Sequence, residues 1–314
     1  MADSSRGTAL RSAGWVAAGL AGAGAATLGY AGLIERNLFG VRAETLAVLP
    51  AGSPTLRVLH LSDIHFVPKQ QIKTRWLQSL ADLEPDLVVN TGDNLSHPEA
   101  VPPLLEALKP LLRFPGVYVP GSNDYYGPML KSPFQYFTGP SKITREPPEL
   151  PFGELFGAFE DAGWAGLTNR SDSMVLRGVR LDFSGVDDPH LDRDVYAGFP
   201  ASSPATGSGE DDMALRVGVA HAPYQRVLNY FTDGGAELIL AGHTHGGQVC
   251  VPFYGALVSN CDLPTWRAKG VTEWEHQGRI VPMNVSAGIG TSRFAPVRFA
   301  CRPEAVLLTL TARS

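Results

Sequence analysis

The stretch that decides the fold is ELILAGHTHGGQV, Glu237 to Val249. It begins with an apolar run, Leu238 to Ala241, which Gly242 interrupts, and His243 and His245 follow at once. A short continuous apolar run is typical of a buried parallel strand, and α/β proteins bind ligands where such strands end. Two histidines at i and i+2 beside glycines favour metal ligation, although a loop of ordinary histidines is the alternative.

Polar residues follow four other predicted strands in the same way. The first of these strands is LRVLHL, Leu56 to Leu61, and the side chains of Asp63 and His65 would share one face because strand side chains alternate. The other strands are Asp86 to Asn90, Gly116 to Val119 and Leu215 to Ala220. The candidate ligands at these five strand ends are Asp63, His65, Asp93, Asn123, His221, His243 and His245.

Helical spacing between the first strands indicates an α/β fold, as in Ile72, Trp76 and Leu80. Seven ligands with nitrogen and oxygen donors are too many for one tetrahedral ion, and they suit two ions that share a carboxylate. The absence of thiolates from the set argues against a structural zinc site.

Other polar residues have weaker signals. Asp187 and Asp188 precede a proline and are left out of the ligand set, because Asp before Pro more often makes a turn. Arg293 and Arg298 follow a glycine-rich loop, where they could bind an anionic group, but loop arginines are more often solvated.

Composition limits the function classes. The chain has 314 residues, of which 44% are hydrophobic, enough for one large α/β domain or two small ones. A net charge of -5 without a basic run disfavours nucleic-acid binding, and with it a nucleic-acid phosphodiesterase. Cys250, Cys261 and Cys301 form no metal-binding spacing, and a disulfide between Cys250 and Cys261 remains open.

An uncharged run, Ala13 to Ile34, is about as long as the roughly 20 residues that a membrane-spanning helix needs. Alanine and glycine dominate the run, so a cleaved signal peptide is the alternative. We expect an N-terminal hydrophobic helix that crosses the cell membrane once and leaves the main domain outside the cytoplasm. Residues 1–50 would be the anchor or signal segment with its linker, and residues 51–314 the main domain.

The ordered motifs DIH, GDN, GSND, a single histidine after a strand, and GHTH resemble the calcineurin-like metallophosphoesterase superfamily. GHTHGGQ and the N-terminal segment resemble its bacterial membrane-associated branch, related to UDP-2,3-diacylglucosamine hydrolases. The resemblance implies a four-layer α/β/β/α sandwich that is preceded by the N-terminal hydrophobic helix. It also implies two divalent metal ions (Mn, Fe or Zn) and hydrolysis of a phosphodiester or pyrophosphate in a small molecule, lipid or envelope precursor by a metal-bridging hydroxide.

The same resemblance assigns the ligands. The residues implied for the first ion are Asp63, His65 and His245. Those implied for the second ion are Asn123, His221 and His243. Asp93 would bridge the two ions.

The stretch Gly121 to Asp124, GSND, departs from the family pattern, which commonly reads Gly-Asn-His and then an acidic residue. Aligned without a gap, Ser122 takes the ligand position; shifted by one residue, Asn123 is the ligand and Asp124 takes the place of the histidine. We favour Asn123, because its amide oxygen binds hard cations better than a neutral hydroxyl does. The usual proton donor is missing in either alignment, and such a donor contributes about 10² to 10⁴ in rate. The residues expected to carry catalysis are Asp93, Asn123, Asp124 and His243. The alternative is a metal-binding sensor or interaction protein of the same fold with weak catalysis.

Overall fold

The computed structural model describes residues 15, 18–128, 147–201 and 214–314, and within these ranges the chain forms two six-stranded sheets and a small hairpin. The first sheet contains Gly40–Leu49 (β1), Leu56–Leu61 (β2), Leu87–Asn90 (β3), Gly116–Tyr118 (β4), Ala165–Gly166 (β5) and, last in the chain, Glu304–Ala312. The second sheet contains Ser171–Leu176 (β6), Val179–Gly185 (β7), Leu215–Val219 (β8), Leu238–Ala241 (β9), Gly270–His276 and Arg279–Val285. Cys250–Val251 (β10) and Gly255–Ala256 (β11) form the hairpin. The remaining strands of the two sheets are Gly270–His276 (β12), Arg279–Val285 (β13) and Glu304–Ala312 (β14).

The strands that carry the candidate ligands are parallel. In the first sheet, with order β1-β14-β2-β3-β4-β5, β2 to β5 run parallel to one another, and β14 is antiparallel to β2. In the second sheet, with order β12-β13-β9-β8-β7-β6, β7, β8, β9 and β13 run parallel. The carboxyl ends of parallel strands meet at one edge of a sheet, so each sheet presents its strand-end loops together.

Alternating side chains along the strands divide the core into three layers. In β2, Leu59 and Leu61 pack against the helices outside the first sheet, whereas Leu56 and Val58 face the second sheet. The helices on the first sheet are Gln71–Ser79, Val101–Leu108 and Phe152–Asp161. Gln225–Asp233 covers the outer face of the second sheet, where its apolar side chains meet those of β9 and β13. The predicted α/β class is confirmed, with two sheets packed between outer helices.

The strands β1 and β12 are among those that the sequence does not predict. Residues 40–49, assigned from the sequence to the linker, form β1, which pairs in parallel with β14 near the other end of the chain. β12 pairs antiparallel with β13. Both are edge strands of their sheets, so they lack the continuous apolar run that reveals a buried strand.

Residues 18–29 are helical, and a π-helical turn, Tyr30–Ile34, continues them. Among the residues described, no helix combines the length and the apolar character that crossing a bilayer requires. The structure therefore does not support the spanning helix predicted for Ala13 to Ile34, of which residues 13–14 and 16–17 lie outside the described part.

Three further expectations concern loops and cysteines. Residues 129–146 of the insertion predicted for Tyr125 to Pro151 lie outside the described residues. So do residues 202–213, which include nearly all of the predicted loop Ala201 to Asp212. Cys250 and Cys261 are free thiols, so the disulfide that the sequence left open is not formed.

Candidate metal centre

The candidate ligands converge because backbone hydrogen bonds join the strand-end loops. The loop after β2 is tied to the loop after β3, since the backbone N–H of Asp63 donates to the carbonyl oxygen of Gly92 at 2.9 Å. The N–H of His65 donates to the carbonyl oxygen of Asp93 at 2.9 Å. The two sheets are joined at the same place, because the N–H of His243 donates to Oδ2 of Asp63 at 2.9 Å.

The backbone at most of the candidate ligands is left-handed. The residues with positive φ are Asp63 (50°), His65 (44°), Asp93 (56°), His243 (67°) and His245 (50°). Non-glycine residues seldom adopt this conformation, and where they do the strain is often stored at functional sites. The shared geometry turns each side chain out of its strand direction and toward a common point.

Glycines make this convergence possible. A Cβ on Gly242 would collide with the hydroxyl of Ser62, and a Cβ on Gly121 would collide with the carboxylate of Asp93. Only glycine therefore lets these two loops approach the carboxylates so closely.

One group of candidate ligands consists of Asp63, His65 and His245, whose donor atoms all lie within 4.8 Å of one another. Nε2 of His65 and Nε2 of His245 are 3.1 Å apart, and Nε2 of His245 is 3.5 Å from Oδ1 of Asp63. Among the described residues, Oδ1 of Asp63 is buried without a hydrogen-bond partner. A divalent cation fits this donor set, because it would satisfy an orphaned carboxylate oxygen and two facing imidazole nitrogens together.

The second group consists of Asp63, Asp93 and His221. Nε2 of His221 is 3.4 Å from Oδ1 of Asp93, and Nδ1 of His243 is 3.3 Å from Nε2 of His221. Both groups include Asp63, and Oδ2 of Asp93 is 3.5 Å from Nε2 of His65 in the first group. Asp63 and Asp93 thus both lie between the two sets of imidazoles, where the sequence had implied a single shared carboxylate, Asp93.

Hydrogen bonds fix which ring nitrogen faces the cluster. Nδ1 of His221 lies 2.7 Å from the carbonyl oxygen of Thr91, which can only accept, so Nε2 is the atom directed at Asp93. Nε2 of His243 lies 3.1 Å from the carbonyl oxygen of Asn260, which leaves Nδ1 toward the cluster. A partner that holds the distal nitrogen in this way is the usual arrangement around metal-bound histidines.

The electrostatics of the cluster favour a cation. Burial lowers the pKa of His65 to about 4 and holds that of His245 well below its ordinary value, so both rings are neutral near pH 7. Burial would also lower the pKa of His221, but Asp93 and Asp63 outweigh it and raise that pKa well above its ordinary value. Burial would raise the pKa of Asp93, but His221 holds it well below the usual range. The carboxylates therefore attract positive charge to the point that Nε2 of His221 faces.

In the stretch Gly121 to Asp124, Asn123 and Asp124 make different contacts. The backbone N–H of Asn123 donates to Oδ1 of Asp93 at 2.6 Å, and its side-chain amide lies 2.7 Å from Oδ2 of the same carboxylate. Asn123 thus reaches the cluster.

Asp124 does not face the cluster in the same way. Its buried carboxylate accepts backbone N–H groups from Gly121 at 2.9 Å, Asp93 at 2.9 Å and Asn94 at 2.8 Å. Both oxygens accept from these donors, so Asp124 holds the loops in place, and the catalytic role expected from the sequence stays a prediction.

Two residues that the sequence interpretation did not include lie beside the second group. Asp188 is fully buried, its Oδ2 has no partner among the described residues, and burial raises its pKa to about 7. The ring of His190 packs against that of His243 with centroids 4.6 Å apart. The sequence could have indicated both residues, because they follow β7, another parallel strand of the second sheet. The Asp-Pro pair was instead interpreted as a simple turn.

Arg298 is neither solvated nor available to an anionic ligand. It is fully buried, and its guanidinium donates to the carbonyl oxygens of Gly290 at 2.6 Å, Ala287 at 2.7 Å and Gly288 at 3.0 Å. Its Nη2 is also 3.4 Å from Nδ1 of His245. Arg298 therefore positions the loop after β13 and the ring of one candidate ligand.

Comparison with known proteins identifies one family model and several similar proteins. The family model described as Calcineurin-like phosphoesterase matches residues 56–247. The uncharacterized metallophosphoesterase YkuE of Bacillus subtilis (strain 168) is 28% identical over 309 residues, which cover 95% of this chain and 94% of that protein. The uncharacterized protein YpbG of the same organism is 27% identical over 262 residues, 82% of each chain. A solved structure, TT1561 of Thermus thermophilus, aligns with a TM-score of 0.36 and 12% identity over 75% of this chain and 91% of that one.

Proposed function

Because the chain belongs to the calcineurin-like phosphoesterase family, we propose that it is a di-metal phosphoesterase that hydrolyses a phosphodiester or pyrophosphate bond. The observation that carries the proposal is the pair of donor groups that share Asp63, with one of its oxygens buried and without a partner among the described residues. Such an arrangement is costly unless a cation compensates for it.

A first ion would be held by Asp63, His65 and His245. A second ion would be held by Asp93, His221, His243 and Asn123. The nitrogen and oxygen donors without thiolate suit Mn, Fe or Zn. Two divalent ions would polarise the phosphoryl oxygens and lower the pKa of an attacking water.

The residues of the chain supply orientation and charge around that chemistry. Thr91 and Asn260 hold the rings of His221 and His243 through their carbonyl oxygens, which fixes the nitrogens offered to the second ion. Asn123 donates to both oxygens of Asp93 and so sets the plane of that carboxylate. Preorganised donors of this kind reduce the rearrangement that the reaction requires.

The substrate class follows from what the stretch Gly121 to Asp124 lacks. No imidazole occurs there to protonate a leaving group, so a substrate with a good leaving group is favoured over a simple alkyl phosphate. A pyrophosphate bond meets this requirement, and the likeness of the sequence to UDP-2,3-diacylglucosamine hydrolases suggests a lipid or envelope precursor. This narrower substrate is part of the proposal.

The test uses the full chain with Mn²⁺ and bis(4-nitrophenyl) phosphate, because β1 lies within the first fifty residues and belongs to the sheet. Asp93→Ala and His243→Ala should each lower kcat by about 10² to 10³, the scale expected when one group that stabilises the transition state is removed. Thermal unfolding and metal content should be measured for each variant. His276→Ala, at a half-buried histidine on β12, is the matched control and should retain activity.

Full activity of either site variant would overturn the assignment of the centre. A second function has one observation in its favour, the absence of a histidine in GSND, which fits a metal-binding sensor or interaction protein with weak catalysis. Two bound ions without turnover on phosphodiester and pyrophosphate substrates would favour that alternative.

The location is also a proposal. The uncharged run Ala13 to Ile34 supports attachment to the cell membrane with the catalytic domain outside the cytoplasm. Fractionation of cells, with protease treatment of intact spheroplasts, tests it; recovery of the full chain in the soluble cytoplasmic fraction would contradict it.

A further inference from the structure

An apolar hairpin projects from the protein beside the candidate metal centre. It comprises residues 249–258, with β10 and β11 as its arms, and we name it the aromatic hairpin. At its tip Phe253 is fully exposed and Tyr254 is 75% exposed, while Val251 and Leu257 on the arms are also exposed. Large apolar side chains that protrude together from a soluble surface usually mark a binding surface.

The aromatic hairpin starts and ends at the candidate metal centre. Its first arm begins two residues after the 3₁₀ turn His245–Gly247, which contains a candidate ligand. Its second arm leads to Asn260, whose carbonyl oxygen lies 3.1 Å from Nε2 of His243. Whatever covers the aromatic hairpin therefore lies next to the centre.

The exposed apolar surface continues onto a neighbouring loop. The N–H of Cys250 donates to the carbonyl oxygen of Phe299, and the N–H of Phe299 donates to that of Gln248, so the first arm is joined to residues 294–299. In that loop Phe294 is exposed. Trp266, in the turn that packs on β11, adds a further exposed ring.

The same loop contacts the N-terminal segment. The N–H of Arg298 donates to the carbonyl oxygen of Ala31 at 3.1 Å, and the guanidinium of Arg36 donates to that of Pro296 at 3.3 Å. Leu28 and Leu33 are exposed on this segment. Apolar side chains are thus displayed on both elements that adjoin residues 294–299.

The charges around this surface are unlike those of the whole chain. The chain has a net charge of -5, yet residues 249–261 contain no Asp, Glu, Lys or Arg. Residues 286–303 contain Arg293, Arg298 and Arg302 and no acidic residue. Arg293 and Arg302 are exposed, so the apolar surface has a basic border.

We propose that the aromatic hairpin inserts into the surface of an anionic lipid bilayer, with the basic border against the lipid headgroups. Phe, Tyr and Trp side chains favour the interfacial region of a bilayer, and Lys and Arg beside them bind anionic lipids. A protruding tip with two adjacent exposed rings suits insertion into a fluid surface, whereas a rigid protein partner would need a complementary pocket. The substrate is then a phosphate ester presented at the bilayer surface; this last step rests on the proposed function.

The deciding measurement is hydrogen–deuterium exchange of residues 249–258 in the full chain, with and without vesicles of phosphatidylcholine and phosphatidylglycerol. The readout is local to the aromatic hairpin, and the double variant described below separates its insertion from binding through a neighbouring segment. We expect exchange in residues 249–258 to slow by about tenfold or more with these vesicles, and less with vesicles of phosphatidylcholine alone. The double variant Phe253→Ser, Tyr254→Ser should lose this protection, whereas Ile72→Ser, at an exposed isoleucine on the helix Gln71–Ser79, should keep it.

Unchanged exchange in residues 249–258 on addition of anionic vesicles would overturn the proposal, and so would full protection in the double variant. Hydrolysis is measured in parallel in solution with bis(4-nitrophenyl) phosphate and with a soluble pyrophosphate diester. Protection without hydrolysis would refute the proposed function and leave the lipid contact standing. Hydrolysis without protection would refute the lipid contact and leave the proposed function standing.

Discussion

Arg298→Lys tests whether a buried guanidinium supports the metal centre from behind. Among the described residues no carboxylate lies within ion-pair distance of Arg298, so its charge is compensated by backbone carbonyl oxygens. The fork of the guanidinium reaches carbonyl groups on two sides, those of the loop Ala287 to Gly290 and that of Cys301 at 3.3 Å. Lysine keeps the charge but offers its donors from one point.

The size of the effect follows from the bonds that lysine cannot replace. An ammonium group can bond the three carbonyl oxygens that converge on Nη2 of Arg298, but the carbonyl oxygen of Cys301 would lose its donor. An unsatisfied buried acceptor costs about 1 to 3 kcal/mol, and poorer packing adds to it, so we expect the free energy of unfolding to fall by about 2 to 4 kcal/mol. Arg298 also lies 3.4 Å from Nδ1 of His245, so we expect a lysine at this position to shift that ring and to weaken Mn²⁺ binding.

Two assays check these numbers. Urea unfolding at pH 7 gives the change in stability, and titration with Mn²⁺, followed by calorimetry, gives the change in affinity. Arg293→Lys is the control, because Arg293 lies in the same loop and is exposed. The reasoning would be refuted if Arg298→Lys matched the wild type in both stability and Mn²⁺ affinity.

Two further predictions follow from buried groups. Asp124→Asn removes an acceptor from one of three backbone N–H groups, so it should lower the free energy of unfolding by about 1 to 3 kcal/mol and weaken Mn²⁺ binding, because the same carboxylate holds the backbone of Asp93. A pH–rate profile that changes shape in this variant would instead indicate that Asp124 transfers a proton. Burial, with a smaller effect of Arg42, lowers the pKa of His60 to about 3. Because the unfolded chain binds the proton more readily, the contribution of neutral His60 to stability is complete above about pH 6.5. It declines as the pH falls, and the free energy of unfolding is lower by about 2 kcal/mol at pH 5. His60→Gln should remove this contribution, so its stability difference from the wild type in urea should shrink by that amount between pH 7 and pH 5; an unchanged difference would contradict the prediction.

The positions of the candidate ligands were predictable because local sequence determines them. A buried strand reads as an apolar run, and a glycine or polar residue marks its end, so DIH, GDN and GHTH could be located at strand ends without a structure. The order of these motifs along the chain then indicated the family. The sequence also predicted that the ligands meet at one edge, because parallel strands present their carboxyl ends together.

Other features were not predictable, because they depend on contacts between distant parts of the chain. The strand β1 is an edge strand, and its hydrogen bonds go to β14, more than two hundred residues away. The exposure of Phe253 and Tyr254 likewise depends on what the fold leaves uncovered around the aromatic hairpin.

The sequence by itself determined the α/β class and the strand ends that carry the candidate ligands. Only the tertiary structure decided what the neighbouring polar residues do: Asp124 binds backbone N–H groups, Arg298 is buried against carbonyl oxygens, and Asp188 and His190 lie beside the cluster. The physical reason is that strand periodicity is written in consecutive residues. Burial and hydrogen-bond partners, in contrast, are set by which loops the packed sheets bring together.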